Sequence, residues 1–232
     1  MFGIGPEQIA IEVHAVVGGS FALVEPSKDP NEAWWEIRMP DDRIWNVVDD
    51  DSIQAPRSHR GELTSPILQE ADLPLLARVA DALSLAGAVV DASCGTHIHI
   101  GVRAEVTGFV GLVDLMLEGE AALMESLKIH PQRLHHAKPL DSAFVVRFKA
   151  QRPTTIDDFW EQWYGDANWR RRRNSFDDER RYYGLNFHAY HIHQTIEFRY
   201  FNGTLDSGAI TSHIQRCLDL VGRAGLSPAE AQ

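Results

Sequence analysis

Cysteine is scarce in this chain. Only Cys94 and Cys217 occur among 232 residues, and their separation makes neither a metal-binding pair nor a disulfide framework. Long apolar runs are missing as well; no stretch reaches the roughly 18 consecutive apolar residues that mark a membrane span. The segment MFGIGPEQIA has neither the basic flank nor the apolar run of an export signal. Basic residues are outnumbered, with 22 Lys and Arg against 33 Asp and Glu, for a net charge of −11. A general nucleic-acid binder needs the opposite balance. The expectation is a cytoplasmic protein with no nucleic-acid or membrane partner.

What is present suits a folded domain. Hydrophobic residues make up 44% of the chain and charged residues 24%, enough for a core inside a solvated surface. The length fits one large domain, since chains split beyond about 250 residues; it is expected over 1–225, with a tail at 226–232. There are 11 histidines, several of them clustered.

Periodicity assigns the elements. Strands are expected at 9–17, 33–39, 44–48, 62–68, 96–102, 185–189 and 194–201. Pro40-Asp41-Asp42-Arg43 supplies a hairpin turn and Asn202-Gly203 another. A helix over 73–88 starts at Asp72 and Pro74 and carries Leu75, Leu76, Val79, Ala80 and Leu83. Further helices are expected over 106–127, with Val110, Val113, Leu117, Leu123 and Leu127, and over 206–224. Thr154-Thr155-Ile156-Asp157-Asp158 looks like a capped start leading into Phe159 and Trp160. Strands and helices mix without regular β-α-β alternation, which favours an α+β fold with a mainly antiparallel sheet.

Polar groups recur at strand spacing. In Ser93-Cys94-Gly95-Thr96-His97-Ile98-His99-Ile100-Gly101, residues two apart share a face, so His97 and His99 project together. They suit a metal, or equally an ordinary wet strand face. In Thr195-Ile196-Glu197-Phe198-Arg199-Tyr200-Phe201, Glu197 and Arg199 share a face: a carboxylate for a hard cation and a guanidinium for phosphate, or a simple ion pair. Glu62 in RGELTSPIL and the pair Glu12 and His14 in IAIEVHA complete the set.

These segments, in this order, resemble the amidoligase family of ATP-dependent carboxylate–amine ligases with a glutamine synthetase-like fold. The matching stretches are Ala10-Ile11-Glu12-Val13-His14, Trp45 to Ile53, Glu62-Leu63-Thr64-Ser65-Pro66, Cys94 to His99, Leu185-Asn186, Thr195 to Arg199, and Gly203-Thr204-Leu205. The resemblance implies a curved, mainly antiparallel sheet with helices on one face. It implies ATP with Mg²⁺ or Mn²⁺, and amide formation through an acyl phosphate on an amino acid, peptide or protein side chain. Glu12, His14, Glu62, His97, His99 and Glu197 are then metal ligands. Arg199, Glu62 and Asn186 are catalytic, and Arg199, Arg181 and Thr195 contact the nucleotide. The first stretch departs from the family's Gly-x-Glu-x-Glu, because one carboxylate is absent in either register. Where His14 replaces it, the imidazole favours Mn²⁺ over Mg²⁺.

Two alternatives stand beside the ligase: a degenerate nucleotide- or protein-binding member, and a metal-dependent hydrolase built on His97, His99 and Glu197. The sequence leaves an oligomer open. Trp169 to Arg173 forms a basic run, expected as a solvated segment paired with Asp177, Asp178 and Glu179, or as an anion-binding flap. His188, His191 and His193 are expected in a loop between hairpin strands.

Overall fold

A computed structural model describes residues 1–25, 33–175 and 178–227. Asp177 and most of the expected tail lie outside them. The described chain holds seven α-helices and seven strands, all strand pairs within the sheets antiparallel. It divides into two compact units, 1–94 with 203–212, and 95–202 with 213–232. No described helix is long and apolar enough to cross a membrane.

The first unit contains α1 (Pro6–Val17), β1 (Ser20–Val24), β2 (Trp34–Arg38), β3 (Ile44–Val48), β4 (Glu62–Thr64) and α2 (Leu73–Leu85). Its sheet has the order β1-β2-β3-β4. The hairpin between β2 and β3 turns where the sequence places it, with Asp42 at φ 66. Ile37, Trp45 and Val47 point into a core shared with Ile9, Ala10 and Val13 of α1 and Val79 and Leu83 of α2. Alternation leaves Trp34, Glu36, Asn46 and Thr64 on the other face of this sheet.

The expected first strand is therefore a helix. Ile9 is fully buried while Ile11 is exposed; a strand would turn both to one face, a helix separates them. Pro6 opens α1, and Gly18 and Gly19 end it at positive φ. A Cβ on Gly19 would lie 1.9 Å from the Arg38 carbonyl oxygen, so only glycine lets the chain turn into β1 there. The strand expected at 62–68 ends at Thr64. Asp72 does not cap α2; its carboxylate accepts from Gln69 N at 2.8 Å and holds Arg43 Nη1 at 2.7 Å.

The second unit contains β5 (Gly95–Gly101), α3 (Val106–Ser126), α4 (Ser142–Ala150), α5 (Ile156–Tyr164), β6 (Leu185–Asn186), α6 (Ala189–His193) and β7 (Thr195–Asn202). α7 (Ser207–Arg223) begins in the first unit and continues in the second. The sheet order is β5-β7-β6. The buried stripe of α3 is Phe109, Leu112, Val113 and Met116, a turn-by-turn spacing one step away from most of the expected one. Phe109, Phe159 and Phe187 meet with centroids 5.0–5.3 Å apart, the spacing at which aromatic quadrupoles attract. Three elements differ from expectation: α4 was not anticipated, the strand expected at 185–189 ends at Asn186, and the histidine segment is α6 rather than a hairpin loop. Leu226, placed in the tail by sequence, is buried.

Helix α5 begins as its sequence dictates. Thr155 accepts from Asp158 N at 3.1 Å, and the Asp158 carboxylate accepts from Thr155 N at 3.0 Å. This reciprocal cap satisfies two otherwise unpaired N–H groups. Thr155→Ala is expected to lower stability by about 1 kcal/mol, read as a shift in the urea midpoint by circular dichroism.

Candidate functional site

β7 is the central strand of its sheet, so both its edges are paired. Asn186 of β6 and His99 of β5 both stand opposite Glu197. Asn186 Nδ2 donates to Glu197 Oε2 at 2.6 Å, and Arg199 Nη1 donates to Oε1 at 2.6 Å. His97 Nδ1 and His99 Nε2 approach the same Oε1 at 3.5 and 3.6 Å. The shared face of His97, His99, Glu197 and Arg199 read from the sequence is thus realised, and Asn186 joins it.

A β-bulge shapes the cluster. Thr96 pairs with Phe201 and Ile98 with Phe198, so His97 alone faces both Arg199 and Tyr200. The extra residue breaks the alternation of β7. Tyr200 and Phe201, adjacent in sequence, consequently both enter the core.

Burial sets the electrostatics. Glu197 is 5% exposed and Arg199 8%. Burial alone pushes the Glu197 carboxyl up, but the His99 imidazole and the Arg199 charge outweigh it and hold the carboxyl below its usual range. His97 is depressed to about 3 by burial, with the Arg199 guanidinium adding to the effect; it is neutral at pH 7. A carboxylate oxygen only accepts, so His97 faces it with Nδ1–H, and His97 Nε2 is buried without a hydrogen-bond partner among the described residues. His99 Nδ1 meets the Thr195 hydroxyl at 2.8 Å. With Nε2–H towards Glu197, His99 Nδ1 accepts from Thr195. His193 adds an edge-on ring 5.5 Å from His99.

Arg133 escaped the sequence analysis. It ends a short 3-10 turn, is 3% exposed, and its Nη2 donates to the Arg199 carbonyl oxygen at 3.4 Å. A Cβ on Gly95 would lie 2.1 Å from Arg133 Nη1. Gly95 therefore admits the guanidinium beside β5. The glycine was the only sequence signal; its partner lies 38 residues on and carries no local pattern.

The remaining candidates belong to other elements. Arg181 sits on a 3-10 turn with its guanidinium 5.5 Å from the Tyr182 ring. Glu12, His14 and Glu62 belong to the first unit. Glu12 and His14 are on α1, where residues two apart point about 200° away from each other, so the shared face expected of them does not exist. Glu12 accepts from Gln8 at 2.5 Å, and His14 Nε2 donates to Gly19 O at 3.1 Å. Glu62 lines an open cavity with Trp34, Val48, Asp49, Asp50 and Asp51. Asp49 in it is held by Arg60 at 2.6 Å.

The donor chemistry of the Glu197 cluster, one carboxylate and two imidazoles, suits a divalent ion. Its arrangement is not a ready cage. Among the described residues no group of three or more His, Cys, Asp and Glu is set to hold a metal, and Arg199 already occupies Oε1.

The sequence model of the family described as "Putative amidoligase enzyme" matches residues 1–221. The chain belongs to this family. No curated protein and no solved structure matches it. Within this amidoligase-family chain, the Cys-Gly-x-His-x-His and Thr-x-Glu-Phe-Arg stretches are the paired strands β5 and β7, and Leu185-Asn186 is β6.

Two outcomes are expected. Gly95→Ala forces the Arg133 guanidinium aside and destabilises by about 1–3 kcal/mol. Arg133→Ala in the same chain removes that clash, so a double-mutant cycle by chemical denaturation shows non-additivity. The second concerns His191, which burial, with the neighbouring His188 and the Arg173 charge, depresses from 6.5 to about 4. Between these values the unfolded chain binds the proton first. Its contribution is complete above pH 6.5 and is lost as pH falls towards 4. His191→Phe, which keeps a ring, should flatten the pH dependence of stability over that window.

Proposed function

We propose that the chain is an ATP-dependent carboxylate–amine ligase acting on an amino acid, peptide or protein side chain. The gathering of Glu197, Arg199, His97, His99 and Asn186 on one sheet face, in a chain of the amidoligase family, supports this most strongly. In the reaction a substrate carboxylate oxygen attacks the γ-phosphorus of ATP and ADP leaves. The neutral amine nitrogen then attacks the acyl carbon, the C–O bond to phosphate breaks, and phosphate departs with the proton that the nitrogen loses as the amide forms.

The protein groups divide the work by charge. Arg199 offers a planar fork to the phosphoryl oxygens. Asn186 fixes Glu197 through Oε2, so its carboxylate keeps its place when Arg199 turns to phosphate. Thr195 holds the His99 ring in place through Nδ1. Mg²⁺ or Mn²⁺ would neutralise charge on the transferred phosphoryl group; Glu197, once released by Arg199, and the His97 and His99 imidazoles are the donors that would have to turn to hold it, and the imidazoles favour Mn²⁺. Within the first unit, Glu62, Asp50 and Asp51 line one cavity, and their oxygens are of the hard kind that divalent ions prefer. Arg181 is kept as a further phosphate contact. Glu12 and His14, which α1 turns to different faces, do not act as a pair in this reading.

A second reading is nucleotide binding without turnover. It is favoured by the Arg199 contact on the oxygen that a metal would use. ATP hydrolysis or amide formation dependent on Mn²⁺ excludes it.

Calorimetry with ATP and Mn²⁺ tests the ligase. The native chain is expected to bind, and Glu197→Gln and Arg199→Lys to weaken binding at least about tenfold, ~1.4 kcal/mol. Circular dichroism confirms that both variants are folded. A native chain that binds no ATP with either Mg²⁺ or Mn²⁺ overturns the proposal.

A further inference from the structure

Arg170 to Arg173 are consecutive arginines in a chain of net charge −11. The structure treats them alternately. Arg170 stacks on Trp169 at 4.6 Å and pairs with Asp157 at 2.5 Å. Arg172 pairs with buried Asp178 at 2.8 Å and lies over Tyr164. Asp178 is held a second time by Arg180. Arg171 and Arg173 are exposed and have no carboxylate partner among the described residues.

The backbone that displays them is anchored. Trp169 is buried and stacks on His191 of α6 at 5.4 Å. His188 Nε2 donates to Ser175 O at 2.8 Å while its Nδ1 accepts from the Tyr164 hydroxyl. Arg173 lies close enough to His191 for its charge to weigh on that imidazole. Two residues beyond His191, at the end of α6, His193 meets His99 of the Glu197 cluster. The basic segment is thus joined through α6 to the candidate site.

We propose that Arg171 and Arg173 form a docking edge for the carboxylates of an acidic substrate, a glutamyl- or aspartyl-rich peptide or amino acid. This rests on the ligase reading and names its substrate class. Exposure decides between substrate carboxylate and nucleotide phosphate. Guanidinium groups in water are screened and contribute attraction and steering. Phosphoryl transfer needs donors shielded from water, and the buried Arg199 is that kind of donor.

The test uses the full chain and an α-linked tri-glutamate peptide, with tri-lysine as control, beside ATP–Mn²⁺. The native chain is expected to bind tri-glutamate and not tri-lysine. Arg171→Ala/Arg173→Ala should weaken tri-glutamate binding about fivefold, as two exposed pairs allow, and the difference should vanish near ~1 M salt. ATP affinity should stay unchanged. Equal peptide affinity in both chains, or no peptide binding by the native chain, overturns the docking edge. So does a loss that falls on ATP, which would make these arginines phosphate contacts. Peptide binding that depends on the arginines, in a chain that binds no ATP, leaves the edge standing and overturns the ligase.

Discussion

Two opposite charges two residues apart on one strand, Glu197 and Arg199, are both less than a tenth exposed. Taking such a pair out of water costs several kcal/mol per ion and is tolerated only when the remaining donors and acceptors are satisfied. Here each is satisfied from a different part of the fold. β6 supplies Asn186, β5 supplies His97 and His99, and the segment after α3 supplies the His136 carbonyl for Arg199 Nε at 3.0 Å. The central place of β7 is what brings these groups within reach. Removing either ion would leave the other buried and unpaired, at a cost of about 3–5 kcal/mol.

The same pairing bears on the chemistry. Without ligand the pair is close to neutral, which makes it tolerable inside the unit. An incoming phosphoryl group is a competitor for Arg199, and a divalent ion is a competitor for Glu197. On the proposed function both arrive together, so neither charge is left alone when the pair opens. Asn186 prepares for this exchange: it binds the Glu197 oxygen that Arg199 does not touch. His97 contributes a neutral imidazole, held so by burial between charges of both signs.

Much of this was legible in the sequence where one period dominates. Alternation in β5 placed His97 and His99 together opposite Ile98 and Ile100, and the capped start read at Thr154 to Asp158 contains the Thr155 cap from which α5 runs. Ile9 to Val17 misled because β-branched Ile and Val suit strands while their spacing also fits a helix; only the unequal burial of Ile9 and Ile11 separates the two. Helix α4 did leave a signal in its Asp141 cap and the Phe144–Phe148 spacing, easily lost in so short an element. The bulge opposite His97 and the seat of Arg133 on Gly95 arise between segments distant in sequence, where no local period exists.

The arginine run shows the limit of a charge count. By sequence its arginines are equivalent, and pairing with the acidic residues that follow is the natural expectation. Trp169 breaks the equivalence. Once its ring is buried against His191, the turn that follows has a fixed orientation, and alternate side chains meet different surroundings. Arg170 and Arg172 fall on aromatic faces and carboxylates, while Arg171 and Arg173 are turned to water. Arginine on an aromatic face has its charge partly matched by the ring, so that half of the run stabilises the segment. The other half keeps its charge available to a ligand. A buried aromatic anchor inside a basic run thus separates structural from binding arginines, a distinction that composition alone does not contain.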